Sequence, residues 1–228
     1  MNTYAKVIAL LLCCAVLIGL AACTNSDDPT ELPDKPTEST AAPTDNTAAP
    51  TEPENTFDYQ NDALGLALKL EGDWTIAGMD KLGELSGIVA EQITDEALKK
   101  QLENSGVVYD FFAQNTNNDS LNIVKENLNL LYSLTLDEDG YIDLSMGKLK
   151  QALEGMGAVE LMMEKTAVAI AGQQHAGLEL SYIYNGVQLY QRIVAIIDSG
   201  VAYCVTATST TEDRTDAILA GFSAATEE

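Results

Sequence analysis

Apolar and polar residues alternate with a period of two along 178–184 and 187–193, on either side of Asn185-Gly186. Such alternation marks strands with one buried face, and Asn-Gly between two such runs is a strong hairpin signal. Pairing across the turn sets Tyr184 opposite Val187, Tyr182 opposite Leu189, Leu180 opposite Gln191 and Leu178 opposite Ile193. The other face pairs Glu179 with Arg192 and Ser181 with Tyr190. A slip of one residue would mix the faces, so this register is well specified. Asp198-Ser199-Gly200 predicts a three-residue loop with glycine in the left-handed position, which places Val201, Tyr203, Val205 and Ala207 on the apolar face. The stretch 210–222 predicts a closing helix, capped by Thr211, with Ile218 and Phe222 one turn apart on its buried side.

The same reading upstream predicts short strands at 57–59 and 64–70, a helix over 94–106 with Thr94 as its cap, and two strands joined across 116–120. A second long helix is expected over 137–155. Strands with interspersed helices predict an α+β domain over 57–228, an antiparallel β-sheet flanked by helices. The succession "LGLALKL…W", "VYDFFAQN", "LNIVKENL", "TLDEDGYIDLSMGKL" and "AGQQHAGLELSYIY" resembles the PsbP-like family. That family includes a photosystem II accessory protein, the Ran-binding Mog protein and many bacterial lipoproteins. The resemblance implies an α/β/α sandwich and brings no catalytic motif to any position here. Such lipoproteins often have proline shortly before the tryptophan, where this chain has Glu71-Gly72-Asp73.

The N-terminus follows a different pattern. Lys6 precedes an uninterrupted apolar run over 7–18, and Leu20-Ala21-Ala22-Cys23 follows. A short charged start, a brief apolar stretch and a small-residue cleavage site describe a secretory signal peptide over 1–22. The run is short for a spanning helix, which needs about 20 apolar residues. The tetrad Leu20, Ala21, Ala22, Cys23 resembles the lipobox of bacterial lipoproteins, which implies that Cys23 is acylated and inserts in the lipid bilayer. Residues 24–56 contain all six prolines, one leucine and no aromatic residue. With so little apolar surface to bury, 23–56 reads as a disordered tether of Pro, Thr and acidic residues.

Charge narrows the partners. The whole chain carries −23, and residues 57–228 hold 27 acidic against 10 basic side chains. Such a surface disfavours nucleic acid, which needs clustered Lys and Arg, and disfavours docking on anionic lipid. An extracytoplasmic protein partner is expected instead. Cys13 and Cys14 lie in the leader and Cys23 at the anchor, so Cys204 alone remains in the domain and cannot form an internal disulfide.

Little of the sequence points to chemistry. There is one histidine, His175, and its expected register places it on the order of 12 Å from Cys204. A nucleophile–base pair needs about 3 Å. No hydrolase, zinc or phosphate-loop motif occurs, and no cofactor is expected. The stretch "TLDEDGYIDLS" offers Asp137, Asp139 and Asp143 in a spacing like a calcium loop, but Thr135 and Met146 stand where its first and last acidic ligands belong. A helix start explains more: Thr135 as cap, Glu138 completing a capping box, and acids in the first turn. The expected function is therefore a lipid-anchored, non-catalytic binding or accessory module. A carboxylate-dependent hydrolase and a weak divalent-metal binder are the alternatives.

Overall fold

The computed structural model describes residues 58–78, 108–128 and 130–225. The lipobox, the tether and the helix expected over 94–106 lie outside the described residues. Among the described residues, ten strands and three helices follow in order: β1 (Tyr59–Asn61), β2 (Leu66–Leu68), β3 (Thr75–Ile76), β4 (Val108–Gln114), β5 (Ser120–Asn127), α1 (Leu130–Thr135), α2 (Glu138–Gly155), β6 (Val159–Ile170), β7 (Gln173–Tyr184), β8 (Val187–Asp198), β9 (Val201–Thr210), α3 (Thr215–Leu219) and β10 (Phe222–Ala224).

Seven strands form an antiparallel sheet in the order β3-β4-β5-β9-β8-β7-β6, and three more form a second, β1-β2-β10. The large sheet is covered on both faces. On the first, Tyr141, Ile142, Leu149 and Leu153 of α2 pack on Leu178, Leu180, Tyr182 and Ile193. On the second, Leu66 and Leu68 of β2, Ile218 and Leu219 of α3, and Phe222 of β10 pack on Ile123, Val194, Val205 and Ala207.

This corrects the expected α/β/α sandwich. Among the described residues the molecule is mostly β, and the second face is covered chiefly by the small sheet. The closing helix is cut to five residues. A Cβ at Gly221 would lie 2.6 Å from the Lys69 carbonyl oxygen, so the backbone there runs hard against the end of β2. The chain turns at that contact and pairs Phe222 with Leu68 as a strand. Thr211 caps nothing; the Asp213 carboxylate instead accepts from the Thr215 N–H and hydroxyl.

The β7–β8 register agrees with the sequence pair for pair, from Tyr184↔Val187 to Leu178↔Ile193. The next hairpin differs by one residue. Ser199 and Gly200 both have positive φ, at 48° and 81°, and make a two-residue turn that pairs Asp198 with Val201. Tyr203, Val205 and Ala207 therefore fall on the second face, opposite to that of Leu178 and Ile193. Both faces of β9 are buried, so alternation alone could not choose between them.

Candidate functional site

The residues with chemistry gather where the N-terminus of α2 meets β6 and β7. Asp137 is the N-cap, its Oδ1 accepting the Gly140 N–H at 2.8 Å. Thr135, the expected cap, is the last residue of α1 and donates its hydroxyl to the Leu131 carbonyl at 2.8 Å. The capping box is absent because Glu138 turns elsewhere. One of its oxygens lies 2.8 Å from His175 Nδ1, and the other accepts the Ala176 N–H at 3.1 Å. The register explains the second contact. The pairing of β7 with β8 ends at Gly177↔Val194, so Ala176 lies just beyond it, and Glu138 takes the amide.

The next turn of α2 presents Asp139 and Asp143 to Lys165 of β6, at 3.3 and 2.7 Å. Asp143, aided by Asp139, holds the Lys165 ammonium above the ordinary lysine range. The three acids that resembled calcium ligands thus have other work: Asp137 caps the helix, and Asp139 and Asp143 bind a lysine. Among the described residues, no group of three or more His, Cys, Asp or Glu side chains is arranged to hold a metal ion. Together Asp137, Glu138, Asp139, Lys165, Gln174 and His175 line an open groove of about 590 Å³.

His175 and Cys204 are not brought together. Cys204 is buried on the first face under α2, its Sγ 3.9 Å from the Tyr141 hydroxyl, which also donates to Glu126 at 3.1 Å. Burial, with Cys204 and Glu126 alongside, keeps the Tyr141 phenol well above its ordinary pKa. The His175–Glu138 contact spans 37 residues and rests on α2 crossing the sheet, so no local spacing could have announced it.

A second groove, of about 340 Å³, lies on the other side of β6. Ala167, Val168 and Ala169 form one wall, and Leu219, Ala220 and Phe222 another. Arg192 stands at its end, paired with Glu179 at 2.9 Å and with Asp216.

No family model matches the chain, and no curated protein does. Among solved structures, the chain is similar to LpqN, described as involved in cell envelope biogenesis of Mycobacterium tuberculosis, at 13% identity over 69% of this chain and 82% of that one, with a TM-score of 0.39. It is also similar to PA94 of Pseudomonas aeruginosa, a protein of unknown function and putative regulator, at 15% identity over 61% of this chain and 85% of that one, with a TM-score of 0.31. Neither is described as a PsbP or Mog protein, and likenesses this loose carry no argument about function.

Proposed function

We propose that this chain is a membrane-anchored lipoprotein on the extracytoplasmic side, and that its acidic β domain is a non-catalytic binding or accessory module. The observation that carries the reading is Leu20-Ala21-Ala22-Cys23, placed behind the apolar run 7–18 and ahead of a proline-rich segment with one leucine. Two or more acyl chains at Cys23 would anchor stably where a single one would not. Among the described residues no helix is long and apolar enough to cross a membrane. The non-catalytic part is supported by the groove: Asp137, Glu138, Asp139 and Asp143 are each engaged in capping, tying down the sheet or pairing with Lys165.

Metabolic labelling with an alkyne fatty acid tests the anchor. The wild type should take up the label and sediment with membranes, while Cys23→Ala should do neither. An unlabelled wild type would end the lipoprotein reading. Turnover on ester, glycan or peptide panels that disappears with Glu138→Gln would replace the module with a hydrolase.

A further inference from the structure

The seven-stranded sheet ends at β6, and among the described residues no strand pairs with its outer edge. An open edge presents a row of unpaired amides and carbonyls, and proteins guard such edges with charges and bulges. The two halves of β6 differ in this respect. The first half is guarded: the register shifts between Val159 and Met162, Glu160 has a φ of 54°, and Glu160 and Glu164 are exposed. The second half is not. Thr166, Ala167, Val168, Ala169 and Ile170 carry no charge, and their pairing with β7 is continuous. The two grooves flank this unguarded half. One lies between β6 and the N-terminus of α2, the other between β6 and the α3–β10 layer, so they open on opposite faces of the sheet.

We infer that residues 166–170 of β6 are a docking edge for an extended segment of a partner protein, which adds to the sheet as an eighth strand. This rests on, and deepens, the reading of the domain as a binding module. Successive side chains of an added strand point to opposite faces, so the backbone ladder supplies affinity and the two grooves read alternate residues. The first groove sets Asp137, Glu138, Asp139 and neighbouring Asp143 against Lys165 and His175, an acidic excess that persists with these side chains engaged and favours a basic side chain. The second, walled by Val168, Leu219 and Phe222, selects an apolar one. The partner segment therefore alternates Lys or Arg with apolar residues. A second copy is the poorer occupant, because residues 57–228 carry a net −17 and two such domains repel.

The test uses the full acylated chain in neutral-lipid nanodiscs, with empty discs as the blank. The probe is a short synthetic peptide alternating lysine and leucine. Binding should shift the amide resonances of residues 166–170. It should weaken roughly tenfold or more for a peptide N-methylated at alternate residues, which cannot complete the ladder, and likewise for a glutamate-for-lysine peptide. Ala169→Lys, a change at an exposed position, should weaken it similarly with the melting temperature unchanged. Equal binding of the N-methylated peptide, or shifts confined to other residues, would overturn the inference without touching the peptide-independent test of Cys23. A dimer in sedimentation that Ala169→Lys dissolves would give the edge to a second copy and equally overturn the assignment. A membrane partner retained undiminished by Ala169→Lys would sink the edge and leave the binding module standing.

Discussion

Asn122 lies at the centre of β5 with no exposure, and among the described residues neither its Oδ1 nor its Nδ2 has a hydrogen-bond partner. It faces Thr206 across the strand pair, whose hydroxyl is also without one, and Ser120 two residues away on the same face repeats the situation. A buried polar group left unbonded costs about 1–3 kcal/mol, and replacing it by an apolar group of similar shape removes that cost. Leucine branches where asparagine does and adds apolar contact on the first face. Asn122→Leu should therefore raise the unfolding free energy by about 1–3 kcal/mol. For a domain of this size that is about 2–4 °C in Tm per kcal/mol, read by differential scanning calorimetry and urea melts with an unchanged m-value. Thr206→Val, nearly isosteric, should act in the same direction, and the double variant should reveal coupling across the pair. A loss of more than about 1 kcal/mol on Asn122→Leu would refute the reasoning, because it would mean that the amide is well bonded in solution.

Arg214→Ala should cost about 2 kcal/mol in a urea melt, since it strips both guanidinium bonds, at 3.0 and 2.6 Å, from an Asp119 carboxylate that is 3% exposed, while water around the partly exposed Arg214 screens the pair. Glu138→Ala should cost about 1–2 kcal/mol and speed hydrogen exchange at the Ala176 amide, with exchange at Leu180 unaltered except through global unfolding. Burial raises the pKa of both Tyr59, which donates to Asp110, and Tyr141, so the folded state holds protons that the unfolded chain releases near pH 10. Stability should then be full below about pH 10 and fall as pH rises above it, and replacing both tyrosines by phenylalanine should flatten that fall. Calcium should leave Tm unchanged, because Asp139 and Asp143 hold Lys165; a rise of several degrees would restore the metal reading.

What could be read from the sequence follows how local each decision was. The β7–β8 register depends on Asn185-Gly186 and on alternation within ten residues of it, and it was legible in full. The next turn used Ser199 in a left-handed conformation, which a serine does not advertise, and β9 is apolar on both faces, so nothing penalised a shift by one. The helix α2 was foreseen, but its cap moved from Thr135 to Asp137 because α1 claims Thr135. The local pattern places Phe222 in a helix because its strand partner, Leu68, lies far off in the chain. In the site, the Asp137 to Asp143 cluster was visible from its charges. Its engagement with Lys165 and His175 was not, since both contacts depend on how α2 crosses the sheet.

The small sheet gives the domain a late checkpoint in synthesis. Its central strand β2 lies between β1, at the start of the described domain, and β10, at its far end. Leu66 and Leu68 emerge early, yet Ser223 and Phe222, which pair with Ala67 and Leu68, are made only after every strand of the large sheet. Until then one edge of β2 and the apolar floor beneath α3 stay open. A product that stops before Phe222 would display that edge permanently. Protease resistance of the domain thereby depends on β10, and a copy that ends before Phe222 is marked by the one edge of β2 left without a neighbour.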